Sequence, residues 1–167
     1  MTTATETSVT TQVYRVYIKA TPQAIWDAIT KPEWTQRYGY RGAAEYDLRR
    51  GGMYRVPATP EMKAMGSGDV VIDGEVIEAD PPRKLVQTWR ALWDDEVAKE
   101  STRVTFDIEE DDGGVTRLTV THELDNAPFT AARVSAGDAR IREGGGGWSL
   151  ILSDLKTLLE TGDSFGG

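Results

Sequence analysis

The chain has 167 residues, enough for one domain with a single sizeable core and too few for two. Its 39% hydrophobic and 28% charged residues are typical of a globular protein rather than a disordered one. The net charge of -8 argues against a surface for nucleic acid or anionic membranes, and a chain without cysteine excludes disulfides, thiol catalysis and zinc fingers.

Residues 1–11 are rich in threonine and are expected to form a flexible tail. They lack the basic start and apolar core of a signal peptide, and no run approaches the ~18 apolar residues that span a membrane. A cytoplasmic protein is therefore expected. Residues 12–20 alternate and are rich in Val and Tyr, which predicts the first strand.

Two short helices are predicted after this strand. Thr21 followed by Pro22 is typical of a helix N-terminus and begins a helix over PQAIWDAI. Thr30 and Glu33 have the spacing of a capping box, which predicts a second helix that begins at Thr30 and ends at Gly39.

From residue 42 onward the pattern predicts an antiparallel meander. Short segments rich in β-branched and aromatic residues alternate with turns that contain Gly, Pro or Asp. The predicted strands are 43–48, 53–58, 70–79, 84–93, 101–110 and 115–124. An irregular segment, 126–143, follows them and has a helical turn near 127–134.

Residues 148–161 predict one long helix. At 100° per residue its apolar side chains fall on one stripe about 120° wide, and only Leu150 lies outside it. The stripe consists of Trp148, Ile151, Leu152, Leu155, Leu158 and Leu159. Gly162 is expected to end the helix, so that residues 12–162 form one domain and 163–167 form a second flexible tail.

The predicted order is β-α-α-β6-α, an α+β fold with seven antiparallel strands and one long helix. A single helix is too narrow to cover so wide a sheet. The sheet is therefore expected to curl around the helix and to leave a cavity between them.

Five segments, in this order and spacing, resemble the START-like (SRPBCC) superfamily with its helix-grip, Bet v 1-like fold. They are IKATPQAIWDAIT, YDLRRGGMY, GEVIEADPPRKLVQTW, TRLTVTHEL and GGWSLILSDLKTLLE. Within the superfamily, residues 12–161 look most like the bacterial branch related to the activator of the heat-shock-ninety ATPase (AHSA-like).

The resemblance implies a hydrophobic cavity between the sheet and the C-terminal helix. Members bind lipids, plant hormones or polyketides, and some are enzymes such as aromatase/cyclases. A related group gives self-resistance to enediyne antibiotics. The chaperone-activating members depend on an additional N-terminal domain, and with a tail of about eleven residues before the first predicted strand we expect no such domain here.

The four glycines at 144–147 raise the question of a phosphate site. A P-loop needs a Lys after its glycines and a preceding parallel strand, and a dinucleotide fingerprint needs a βαβ unit. Neither context is present. We expect instead a hinge beside the entrance of the cavity, where glycine permits unusual dihedral angles.

His122 is the only histidine of the chain. It alternates with Leu118, Val120 and Leu124, so it is expected to point into the cavity or to its rim. Two interpretations remain open: a polar anchor or proton-transfer group for a ligand, and a hydrogen-bonded histidine inside the barrel. A metal site is not expected, since no second histidine accompanies it and Glu123 points away.

Aromatic side chains on the inward faces predict the lining of the cavity. Trp89 and Trp93 share a face with the polar Gln87, and Phe106 lies on the neighbouring strand. The complete set of predicted ligand-binding residues is Trp34, Tyr38, Tyr54, Gln87, Trp89, Trp93, Phe106, His122, Phe129, Trp148, Ile151, Leu152 and Leu155.

The sequence thus predicts a monomer or homodimer that binds a small hydrophobic or aromatic molecule, with no cofactor and no metal. The segments 57–68 and 126–143 are expected to gate the cavity or to mediate dimerisation, because they carry apolar residues such as Met62 and Met65. Two alternatives stay open. One is a cyclase, hydratase or hydrolase that uses His122 and Tyr38 or Tyr54, and the other is a chaperone-accessory protein.

Overall fold

A seven-stranded antiparallel sheet curves around one long helix in the computed structural model, which describes residues 10–135 and 146–165. The strands are β1 (Thr11–Ile18), β2 (Glu45–Tyr46), β3 (Met53–Pro57), β4 (Val70–Asp80), β5 (Lys84–Ala91), β6 (Thr102–Glu110) and β7 (Thr116–Glu123). The helices are α1 (Pro22–Thr30), α2 (Pro32–Thr35), α3 (Pro60–Ala64), α4 (Pro128–Val134) and α5 (Gly147–Thr161). The predicted fold class is confirmed.

The strand order is β1-β7-β6-β5-β4-β3-β2, so every connection from β2 to β7 joins neighbouring strands. The first strand pairs with the last one, with Thr11 opposite Glu123. The chain then crosses to the far edge of the sheet through α1 and α2. Helices α1, α2 and α5 pack against the inner face of the sheet.

Two features of β4 help the sheet to bend. The register with β5 shifts between Val76 and Glu78, and such a bulge increases the local twist and bends the strand. Gly74 lies so close to β5 that a Cβ atom there would be 2.0 Å from the Thr88 carbonyl oxygen. Only glycine permits this approach.

The N-terminus of α1 is as predicted, because Thr21 Oγ1 accepts a hydrogen bond from Ala24 N–H at 3.1 Å. The predicted capping box at Thr30 is wrong. Thr30 is the last residue of α1, and its hydroxyl donates to the Trp26 carbonyl oxygen at 2.8 Å. The second helix instead begins at Pro32 without a side-chain cap.

Helix α3 lies inside the predicted loop 57–68. Its N-terminus has the same Thr–Pro pair as α1, and Thr59 Oγ1 accepts from Met62 N–H at 3.2 Å. The sequence therefore contained the signal for this helix. Met62, which was expected to belong to an irregular gate, lies on a short helix.

Helix α5 begins one residue before the predicted position, with Gly146 as its N-cap at φ 99°. A Cβ atom on Gly146 would lie 2.5 Å from the Cβ of Leu150, so this position needs glycine both for its dihedral angle and for space. Gly162 ends the helix at φ 91°, as predicted.

The core lies between α1, α5 and the inner face of the sheet. Fully buried side chains from these elements include Ile18, Ile25, Leu85, Leu118 and Leu155. Asp154, an acidic residue of α5, is also buried, at 3% exposure. Its two oxygens accept hydrogen bonds from Gly39 N–H and Phe165 N–H, both at 2.9 Å.

Several predictions fall at the boundaries of the described residues. The predicted tail 1–11 lies outside them up to residue 9, while Thr11 already belongs to β1. The predicted loop 126–143 is described up to residue 135, and the glycine run is described at Gly146 and Gly147. The proposed hinge at 144–147 thus lies partly outside the described residues.

Candidate functional site

A pocket of about 670 Å³ lies between the sheet and α5. Its walls come from β2 to β7, from Ile29 of α1, from Thr35 at the end of α2 and the segment 38–44 that follows it, from α3 and the residues after it, and from the end of α4. Helix α5 contributes Gly147, Trp148, Ile151, Leu152 and Leu155. The volume falls within the range of about 300–1,000 Å³ that is typical of small-molecule sites.

A cluster of tyrosines lines one part of the pocket. Tyr46 and Tyr54, opposite each other on β2 and β3, stack with their ring centroids 4.6 Å apart. The Tyr46 hydroxyl donates to Gln87 Oε1 at 2.5 Å, and the Tyr38 hydroxyl donates to the Ala28 carbonyl oxygen at 2.8 Å. Burial raises the pKa of each of these three phenols, so all keep their protons at neutral pH.

Tryptophan and phenylalanine rings form a second aromatic part of the pocket. Trp89 meets Trp93 edge to face at 5.9 Å, and Phe106 meets Trp148 in the same way at 6.0 Å. Edge-to-face contacts of this kind fix ring orientations. The pocket therefore presents preformed aromatic surfaces to a ligand.

His122 lies behind Trp148 and is fully buried. Trp148 Nε1–H donates to His122 Nδ1 at 3.1 Å, which requires the proton of a neutral ring to be on Nε2. His122 Nε2–H then donates to Thr102 Oγ1 at 2.8 Å, and the Thr102 hydroxyl donates to the Trp89 carbonyl oxygen at 2.8 Å. Both ring nitrogens are used inside the protein.

Burial lowers the pKa of His122 to about 4. The ring is therefore neutral at pH 7. Neither ring nitrogen is available to a ligand unless the hydrogen bonds of His122 to Trp148 and Thr102 break. Of the two interpretations of His122, this geometry favours a hydrogen-bonded histidine of the interior.

Two arginines are the charged residues in the lining of the pocket as the described residues form it. Arg133 forms ion pairs with Asp94 and Glu96, each at 3.1 Å from its Nη2. Arg41 donates from Nη2 to the Ser164 hydroxyl at 2.9 Å, and it forms no ion pair with a carboxylate of residues 10–135 or 146–165. The two cations of the pocket thus differ in whether their charge is neutralised.

Nine of the predicted ligand-binding residues line the pocket: Tyr38, Tyr54, Trp89, Trp93, Phe106, Trp148, Ile151, Leu152 and Leu155. The other four do not. Gln87 lies behind Tyr46 and His122 behind Trp148, while Trp34 stacks under the guanidinium of Arg37 at 4.8 Å and Phe129 is 43% exposed on α4.

Sequence reasoning missed Arg41 and Tyr46 among the lining residues. A signal existed for Tyr46, since it alternates with Ala44 on the predicted strand and both side chains face the pocket. No periodicity indicates Arg41, because it lies in an irregular turn.

The described residues contain no group of three or more His, Asp or Glu side chains that could hold a metal ion. None of the helices described is long and apolar enough to cross a membrane.

A curved antiparallel sheet that grips a long C-terminal helix defines the helix-grip class of proteins, here with an aromatic pocket beneath the helix. The model of one family, described as Activator of Hsp90 ATPase homolog 1-like protein, matches residues 19–160. The chain belongs to this family.

Solved structures of low sequence identity share the fold. CalU16 from Micromonospora echinospora has a TM-score of 0.63 and 20% identity, over 91% of this chain and 77% of its own. DynU16, from the dynemicin biosynthetic locus, has a TM-score of 0.66 and 22% identity, over 94% of this chain and 49% of its own. PFC0360w, an HSP90 activator from Plasmodium falciparum, has a TM-score of 0.54 and 22% identity, over 94% of this chain and 91% of its own. A search of curated protein sequences found no match.

Proposed function

We propose that this protein binds a small hydrophobic or aromatic molecule in the pocket under α5 and performs no chemistry on it. The observation that carries the proposal is the pocket itself, with a volume of about 670 Å³ and aromatic walls from four different strands. Apolar burial at ~25 cal/mol per Å² supplies the affinity, and the ring orientations select flat or elongated molecules.

The state of His122 supports binding without catalysis. A general acid or base must reach the reacting group, but Trp148 separates His122 from the pocket. Both ring nitrogens of His122 are also hydrogen-bonded, one to Trp148 and the other to Thr102. The tyrosines of the pocket keep their protons at neutral pH, since burial raises their pKa. They are therefore poor bases, and the hydroxyl hydrogens of Tyr38 and Tyr46 are already donated to the Ala28 carbonyl oxygen and to Gln87 Oε1.

The similarity to DynU16 supports a natural product as the ligand class, because that protein is encoded in the locus for dynemicin biosynthesis. A flat polyketide-like molecule matches the stacked Tyr46 and Tyr54 and the edge-to-face rings around Trp148. Sequestration of such a compound, with a resistance role, is the finer form of the proposal.

Thermal unfolding in the presence of a lipophilic panel tests the proposal, with long-chain alcohols and polycyclic aromatics as the two compound classes. A ligand that binds the folded state raises the melting temperature, and at 100 times its Kd it stabilises by about 2.7 kcal/mol. Ile151→Trp, which fills the pocket from α5, is expected to abolish this shift.

Leu159→Trp is the matched control, because Leu159 is also half-buried on α5 but does not line the pocket. It should keep the shift. The proposal fails if no compound stabilises the wild-type protein at saturating concentration, or if both variants bind as the wild type does.

A further inference from the structure

Arg41 differs from the other charged residue in the pocket lining because its guanidinium forms no ion pair with any of the described residues. Arg133, the other lining cation, is held between Asp94 and Glu96. The only hydrogen bond from the Arg41 guanidinium to a described residue goes to the neutral hydroxyl of Ser164, at 2.9 Å. Within residues 10–135 and 146–165, its Nε and second Nη donate no hydrogen bond, so their hydrogens are available to another acceptor.

The backbone at Arg41 is in the left-handed region, with φ 64°. Among the described residues only Arg41 and Asn126 have a positive φ without being glycine, and asparagine adopts this conformation readily. An arginine there costs on the order of 1 kcal/mol relative to glycine. Two residues earlier the same turn has a glycine in this conformation, Gly39 with φ 62°. The backbone conformation therefore does not by itself require an arginine at position 41.

The segment around Arg41 is held in place from both sides. Arg41 N–H donates to the Tyr38 carbonyl oxygen at 3.0 Å, and Gly39 N–H donates to Asp154 of α5. Ser164, which receives the Arg41 side chain, lies beside Phe165, whose N–H is bonded to the same Asp154. The guanidinium is therefore positioned at the wall of the pocket by α5 and the residues after it.

The negative net charge of the protein makes Arg41 informative about the charge of the ligand. A molecule with net charge -8 repels anions in general, and a neutral apolar ligand gains nothing from an arginine. In an apolar pocket, however, an arginine that faces an anionic group forms a strong charge-assisted hydrogen bond, often in a two-pronged geometry.

We propose that the ligand is an amphipathic anion, with an apolar or aromatic body inside the pocket and one acidic group, a carboxylate or sulfonate, bound by Arg41. This inference rests on the proposed binding function and names the class of ligand that the site takes. The aromatic walls bind the body, and Arg41 selects the acid over its neutral analogue.

A pair of fluorescent probes with the same aromatic body tests this selection. 8-Anilinonaphthalene-1-sulfonate carries one sulfonate, and N-phenyl-1-naphthylamine is the same molecule without it. Titration of each, read by energy transfer from the pocket tryptophans, gives two Kd values for every variant. The wild type should bind the sulfonate more tightly than the neutral amine.

Arg41→Gly is the sharpest variant, because glycine suits φ 64° and should leave the melting temperature nearly unchanged. It is expected to weaken sulfonate binding about tenfold or more, while the Kd of the neutral amine changes less than about twofold. Arg41→Gln keeps a side chain at this position without the charge and should have the same effect.

Arg90→Gln is the control for a general effect of positive charge, since Arg90 is paired with Asp73 and does not line the pocket. Both of its Kd values should stay within about twofold of the wild type. The proposal is overturned if the neutral amine binds while the sulfonate affinity is the same in wild type, Arg41→Gly and Arg41→Gln. If neither probe binds the wild-type pocket, the proposed binding function fails together with this inference.

Discussion

His122 on β7 and Asp154 on α5 are both nearly fully buried, at 0% and 3% exposure, but their polar atoms are satisfied in different ways. His122 bonds to the side chains of Trp148 and Thr102, which link α5 to β6 and β7. Asp154 bonds to the backbone N–H groups of Gly39 and Phe165.

The difference indicates two kinds of support behind the lining of one pocket. At His122 the support is a side-chain network in the core, where each member fixes the orientation of the next. At Asp154 one carboxyl group holds two irregular segments, around Gly39 and Phe165, against α5, and we call these segments the rim. The network at His122 therefore fixes the shape of the pocket next to Trp148, and the rim fixes the position of Arg41.

Removal of His122 should have the largest effect. His122→Ala leaves a cavity and deprives both Trp148 Nε1–H and the Thr102 hydroxyl of a partner, so a loss of about 4 kcal/mol is expected. Urea unfolding at pH 7 measures it. His122→Gln retains one donor and one acceptor and should lose clearly less; equal losses in the two variants would show that the hydrogen bonds do not matter.

The pH dependence of stability sharpens the account of His122. Since burial lowers its pKa from 6.5 to about 4, the unfolded chain binds the proton more tightly than the folded protein. The contribution of the neutral ring is fully present above pH 6.5 and is lost as the pH falls towards 4, by about 3 kcal/mol in total.

Urea unfolding of the wild type and of His122→Gln from pH 7 to pH 4.5 checks this dependence. Carboxyl groups titrate in both proteins, so the difference between the two curves isolates the histidine. A constant difference across this range would contradict the shifted pKa.

The rim should respond less strongly. Asp154→Asn replaces one accepting oxygen by an amide that faces an N–H group, which is expected to cost about 2 kcal/mol. Glu160→Gln on the same helix is the control, because Glu160 is exposed and should cost at most about 1 kcal/mol.

Hydrogen exchange distinguishes a local effect from a global one in these variants. In Asp154→Asn the amide of Gly39 or of Phe165 that faces the new NH2 group should exchange faster than in the wild type, since it loses its acceptor, while the amides of the core keep their protection. Unchanged protection of both amides would mean that Asp154 does not hold the rim.

Much of the pocket was predictable from alternation along the strands and the helix. Trp89, Phe106 and Tyr54 lie on the inward faces that period-two patterns predict, and Ile151 and Leu155 lie on the predicted stripe of α5. The same pattern placed Gln87 and His122 inward, and both are buried. It did not distinguish a side chain that reaches the pocket from one that a tryptophan or tyrosine covers.

The sequence by itself determined the type and order of the elements, because periodicity and helix caps such as Thr21–Pro22 act between near neighbours in the chain. Only the tertiary structure decided which polar groups meet. His122 and Trp148 are 26 residues apart, and Gly39 and Asp154 are 115 apart. Such pairs depend on how far the sheet curves around α5, and no local pattern encodes that curvature. The same holds for Arg41, whose position beside an aromatic pocket is a property of the assembled fold.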